Sequence, residues 1–309
     1  MGARFKVSSC LAIKGSLIDE TYAVFRGWDY AASKTDNLKR ARDENTIGAK
    51  SANWAQNVSW AVSRRFDPAG RDRPLVELAK SGCDREVWQP LLLYHLTRDE
   101  LLVRDFLVNW LYPQLRAGAY RLRAADVLPY LKRSGFGVRS SELGLLNYEP
   151  QTRTLNSEPQ TPNSELRTSN SELRTSNSEP RTPNPELRTP NPEPANWSDS
   201  TTQRVASGLL RLAVDFGLLT GTQSREFASY HLPEPSFMYL LHAMTDREAN
   251  ARRIIDAEDW RMYLMDAADV ERELLRLHQF RKLHYEVAGS LAQIKLPAAS
   301  AAEYVREIG

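Results

Sequence analysis

The chain has 309 residues, with 41 Lys and Arg against 39 Asp and Glu for a net charge of +2, and only two cysteines, Cys10 and Cys83. So few cysteines, so far apart, exclude a disulfide framework and a zinc knuckle and point to a reducing compartment. No apolar run approaches the roughly eighteen residues a bilayer span needs, and the opening MGARFKVSSCLAIKG is too broken for a signal peptide, so the sequence predicts a soluble, cytoplasmic protein with no membrane contact.

Charge is unevenly placed along the chain. Residues 1–150 hold 23 Lys/Arg against 17 Asp/Glu (+6), residues 151–196 hold 5 against 6 (−1), and residues 197–309 hold 13 against 16 (−3). The basic excess at the N-terminal end suits a polyanionic partner, although +6 over 150 residues is also within reach of an ordinary surface; if phosphate neutralisation dominates, this block is expected to carry most of the affinity, through Lys50, Arg64 and Arg65.

In chain order, LIDETYAVF (Leu17 to Phe25) reads as a helix, and a loop rich in Lys and Asp follows. Within NTIGAKSANWAQNVSWAVSRRF a second helix is expected, with Ser51 as N-cap and Trp54, Val58, Ala61, Val62 and Phe66 at helical spacing on its buried face. Its other face shows Asn53, Asn57, Arg64 and Arg65, with Lys50 just ahead. Amides and arginines so arranged suit base edges and phosphates; a plain solvated surface is the other reading. Leu91 to Leu96 is densely apolar, and Leu101, Leu102, Phe106, Val108, Trp110 and Leu111 continue at helical spacing until Pro113 and Gly118. Trp88 and Trp110 read as packing residues and His95 as a hydrogen-bonded core histidine. The helix ADVLPYLKRSG closes this block.

From Thr154 the text repeats every seven residues: TLNSEPQ, TPNSELR, TSNSELR, TSNSEPR, TPNPELR, TPNPEP. A coiled coil needs two apolar positions per heptad; these copies offer at most one Leu and often Pro instead, which breaks helices. Residues 151–196 are expected to be a disordered linker between an N-terminal basic helical domain (1–150) and a C-terminal helical domain (197–309).

After the repeat, NWSDSTTQRVASGLLRLAVDFGLLTG predicts a helix capped by Ser198 or by Ser200, the latter with Gln203 in a capping box. Val205, Leu209, Leu212 and Phe216 form its buried stripe, Gly217 ends it, and SREFASYHLP offers a short strand or hairpin arm. A capped helix followed by a Gly-Leu-Leu exit and a β segment fits the recognition helix and wing of a winged helix-turn-helix. Thr201, Gln203, Arg204, Ser207 and Arg211 would be the exposed contacts, with Arg225 in the wing; an amphipathic helix packed on a bundle is the alternative. Further helices are expected in PSFMYLLHAM and in DAEDWRMYLMDAADVERELLRLHQFRKLHYEV, with Val270, Leu274, Leu277, Arg281 and Tyr285 on one helical stripe. The fold class expected is mainly α, two helical lobes with possible winged-helix elements and a short β-hairpin.

No catalytic motif is present: there is no phosphate loop, no G-x-G-x-x-G, no H-E-x-x-H and no G-x-S-x-G. The five histidines at 95, 231, 242, 278 and 284 lack metal-ligand spacing. The expectation is a protein without catalytic residues, metal or cofactor.

KGSLIDET, NTIGAKSANWAQNVSWAVSRRF, YHLTRDELLVRDFLVNWLYP and WSDSTTQRVASGLLRLAVDFGLL, in that order and spacing, resemble the BrxA family, the small helical subunit of BREX phage-defence systems. The resemblance implies a mostly helical, two-lobed protein that binds double-stranded DNA and is encoded with a methyltransferase, a large ATPase and a phosphatase-like protein. An inner-membrane label attached to the family finds no support in this sequence. The repeat departs from the pattern, falling where a short connection between lobes is expected. Seven residues are twenty-one nucleotides, so a tandem DNA repeat expands there in frame; a tolerated insertion and a selected spacer or partner-binding segment are the two readings. Beside DNA binding, a protein–protein adaptor within the same system and an RNA-binding helical module remain alternatives.

Overall fold

The computed structural model describes residues 15–133, 197–289 and 291–308. The expectations about residues 1–14 and about the seven-residue repeat lie outside the described residues. All described residues belong to a compact unit formed by Met1–Gly137 together with Trp197–Gly309.

The chain is mainly α. Helices α1 (Ile18–Arg26), α2 (Lys34–Asp43), α3 (Ala52–Arg65), α4 (Arg73–Ser81) and α5 (Arg85–Thr97) follow in order. Ser33 caps α2 by accepting from the Asp36 amide at 3.1 Å, and Ser51 caps α3 by accepting from the Trp54 amide at 3.2 Å, each satisfying a first-turn donor. The other end of α3 is held by Lys34, whose ammonium donates to the carbonyls of Ser63 (2.7 Å) and Phe66 (2.6 Å), a cation at the negative end of the helix dipole. Helix α4 ends on Gly82, whose φ of 89° is left-handed and open to glycine.

A continuous rod follows as α6 (Leu101–Asp105), a π-helical turn (Phe106–Leu111) and α7 (Tyr112–Arg116). The wider π turn carries Phe106, Leu107, Val108, Trp110 and Leu111 inward together, more apolar residues than one α-helical stripe holds. Helix α8 (Ala124–Arg133) leads to the end of the first described stretch.

The second stretch opens on α9 (Asp199–Asp215). Its cap is Ser198, which accepts from the Thr201 amide at 3.2 Å. The expected Ser200–Gln203 capping box is therefore absent: with the cap at Ser198 the third helical residue is Thr201, and Gln203 lies a half-turn further in, exposed. Val205, Leu209, Leu212 and Phe216 are buried as expected, and Gly217 (φ 75°) ends the helix. Then come β1 (Leu219–Thr220), β2 (Glu226–Phe227), α10 (Glu234–Thr245), α11 (Ala251–Ile255), a 3-10 turn (Glu258–Tyr263), α12 (Ala267–Gln279), β3 (His284–Ala288), β4 (Leu291–Lys295) and α13 (Ala301–Ile308). Strands β1 and β2 pair antiparallel, as do β3 and β4. The stripe expected from Val270 to Tyr285 stops early. Val270, Leu274 and Leu277 are buried on α12, but Arg281 turns the chain at φ 56° and Tyr285 belongs to β3.

The core is shared by both ends of the chain. Helix α10 packs on α5, α13 packs on α4, and the 3-10 turn packs on the π turn. Buried polar tips are satisfied across these contacts: Trp88 Nε1 donates to the Ile18 carbonyl at 3.1 Å and Tyr263 Oη to the Pro90 carbonyl at 2.9 Å. Trp88, Trp260, Phe106 and Phe237 are essentially fully buried, each contributing about 2–3 kcal/mol by removal of apolar surface from water.

Candidate nucleic-acid interface

Helix α9 packs along α8, and its exit runs into a small ribbon. Leu122 and Arg225 exchange backbone hydrogen bonds, 2.8 Å from the Leu122 amide and 3.0 Å from the Arg225 amide. The segment Arg225–Phe227 thus lies between Leu122 on one side and β1 on the other. The order is helix, single bridge residue, helix α8, helix α9, then two short strands.

The buried stripe of α9 fixes which side chains face water. Gln203, Arg204 and Arg211 are exposed, and Thr201 and Ser207 half-buried. Arg225, from the ribbon, is half-buried; its Nε is buried without a hydrogen-bond partner, and burial lowers its affinity for the proton. Among the described residues, the side chains of Arg204, Arg211 and Arg225 form no ion pair, so three cations stand unneutralised on one side of the molecule.

These arginines line a groove of about 760 Å³. One wall is α9, with Gln203, Arg204, Ser207 and Arg211; the opposite wall is Gly15–Glu20, with Arg85, and Trp54 of α3 completes the lining. Ser16 Oγ donates to Asp215 Oδ2 at 2.7 Å, and Arg85 is paired with Asp19. Sequence reasoning missed Trp54, Arg85 and the Leu122 bridge. Trp54 sits at the margin of the helix's buried stripe and is only half-buried, and a one-residue bridge has no periodicity to detect.

Lys50, just ahead of α3, and Asn53 on it are exposed, and Asn57 is half-buried. Arg64 lies 5.6 Å from the centroid of the Trp60 ring, itself 40% exposed. Arg65 corrects the expectation of a phosphate contact. It is 2% exposed, its Nε lies 3.8 Å from Glu100 Oε1, and Nη2 donates to the Gly15 carbonyl at 3.2 Å. Burial raises the Glu100 carboxyl, against the pull of Arg65. The helical wheel explains the burial: Arg65 is seven residues after Val58, two turns along the same inward face.

A second polar cluster is internal. His95 Nδ1 lies 2.6 Å from Asp72 Oδ1 and Nε2 lies 2.7 Å from Tyr239 Oη, all three buried. Burial depresses the His95 pKa to about 4, against the favourable hydrogen bond to Asp72. Burial opposes ionisation of Asp72 too, but the hydrogen bond from His95 and the Asp67 amide outweigh it and hold the carboxyl below its usual range. With no exposed face, the trio joins α5 to α10 as a structural element.

Among the described residues no group of three His, Cys, Asp or Glu is placed to hold a metal ion, and no helix is long and apolar enough to cross a membrane. Comparison with curated proteins gives no match. The BrxA family model matches residues 8–135 and 186–243. The match therefore contains α8, α9 and the ribbon formed by Leu122 and the two strands after α9, and breaks over most of the repeat. By this coverage the chain belongs to the BrxA family, a component of the BREX phage-defence systems.

Proposed function

We propose that the protein is a non-enzymatic, double-stranded-DNA-binding subunit of a BREX phage-defence complex, and that α8, α9 and the ribbon act as a winged helix-turn-helix. The observation that carries the reading is the solvent face of α9, where Gln203, Arg204, Ser207 and Arg211 project with both arginines unneutralised and Arg225 alongside. In such a module the second helix enters the major groove and the wing touches the backbone. Gln203 is suited to the major-groove edge of adenine, while Arg204 and Arg211, with Thr201 near the helix N-terminus, suit phosphates. The methyltransferase, ATPase and phosphatase-like protein of the same system are the protein partners this reading implies.

A second reading places the contact on α3, with Lys50, Asn53, Asn57 and Arg64, and draws on the +6 charge of residues 1–150. Charge-reversal pairs separate the two by gel shift on duplex DNA across a salt series. R204E/R211E is expected to weaken binding at least tenfold and to flatten the log–log salt slope by about two, at roughly 0.9 per phosphate contact. K50E/R64E is expected to do less. The reverse order moves the interface to α3. Equal or tighter binding of duplex RNA favours the RNA-binding alternative, and no binding to any nucleic acid leaves the adaptor role.

A further inference from the structure

The groove beside α9 is small on the scale of a duplex. Its volume of about 760 Å³ holds one or two nucleotides, whereas B-form DNA does not fit into it. Acidic groups lie among its cations: Asp215 on the α9 wall, and Asp19, paired with Arg85, and Glu20 on the facing one. Arg204, Arg211 and Arg225, which form no ion pair among the described residues, line it together and can hold the phosphate of a single nucleotide. Trp54 lines the same groove, half-buried and anchored in the core by its own packing. A ring fixed in this way meets a base without ordering a free side chain first.

We propose that this groove receives one unpaired nucleotide of a DNA duplex, its phosphate on Arg204, Arg211 and Arg225 and its base against Trp54, so that the protein prefers DNA carrying an unpaired base over intact duplex. This rests on the winged-helix reading, since α9 supplies one wall. The source of the preference is physical: extruding a base from intact duplex costs unpairing and unstacking, and a base already unpaired escapes that cost.

The test measures full-length protein binding to two duplexes of equal length, one intact and one with a single bulged 2-aminopurine. The unaltered chain is expected to bind the bulged duplex about tenfold more tightly, within the range base–aromatic stacking supports, and to quench the 2-aminopurine emission. Trp54→Leu is expected to bring that ratio close to one, and Trp54→Phe to retain most of it. Intact duplex bound without a bulge preference, a preference that survives Trp54→Leu, or binding without quenching would each overturn this inference and leave the winged-helix reading standing. The quenching is read on the unaltered chain, so it decides even where a Trp54 variant misfolds. Failure to bind either duplex overturns both.

Discussion

His95 illustrates how a single residue ties the molecule to pH. In the folded chain it is neutral, with a pKa of about 4 against an ordinary 6.5. Below pH 6.5 the unfolded histidine takes up a proton that the folded one refuses, so stability is full above 6.5 and drains away as pH falls toward 4. Each pKa unit corresponds to about 1.4 kcal/mol, which bounds this loss at about 3 kcal/mol. Asp72, held below its usual range, adds a loss of the same sign at lower pH, while Glu100, raised by burial, works in the opposite sense. Comparing thermal unfolding of the chain and of His95→Gln from pH 7.5 to 4 isolates the histidine. The variant is expected to start about 1–3 kcal/mol less stable, from disturbed buried hydrogen bonds, and to lose less on acidification. Parallel curves would refute the assignment. At this scale the sequence was partly legible. A lone histidine inside LLLYHL reads as a hydrogen-bonded core residue, and it is one. Arg65 was misjudged because an arginine at the end of a helix suggests solvent, although its spacing from Val58 already placed it inward.

Elements were legible where burial is one-sided. Helices α3 and α9 each carry a serine cap and an apolar stripe that the structure buries, because a helix with one wet face repeats its pattern every 3.6 residues. The π turn, the β3–β4 hairpin and the ribbon broke that logic. The π turn buries consecutive residues, so its pattern fits no single period. The strands β3 and β4 expose most of their side chains, so alternation between polar and apolar is weak, and Arg281 and Tyr285 prolonged the α12 spacing by coincidence. The ribbon at Leu122 depends on a partner about a hundred residues away, which no local pattern encodes. The cap of α9 carries its own prediction. Ser198→Ala is expected to cost about 1 kcal/mol and to speed hydrogen exchange selectively at the amides of the first turn, including Thr201. Unchanged protection there would show that Ser198 does not hold the helix end.

Over the whole molecule, the +6 total of residues 1–150 overstated the free charge, since Arg104, Arg116 and Arg121 are paired with Asp259, Asp266 and Glu226 of the other half. The unneutralised arginines of the groove come instead from the half with net charge −3. Position outweighs total. The family match breaks over residues 136–185, most of it in the repeat, which supports a tolerated insertion. Deleting residues 151–194 shortens the connection from Arg133 to Trp197 roughly threefold, worth only about 1 kcal/mol of closure entropy. The deletion variant is expected to keep its melting temperature within a few degrees and its duplex affinity within twofold. A clear loss of either would assign the repeat a role. The packing of α13 on α4 and of α10 on α5, with the paired amides of Leu122 and Arg225, has a consequence for what the repeat is. Neither half completes its core without the other, so the repeat stands between two mutually dependent fragments that a covalent link keeps from parting. Seen so, the chain is a two-piece assembly that happens to be encoded in one reading frame, and the groove between α9 and residues 15–20 exists only once the second piece has closed on the first.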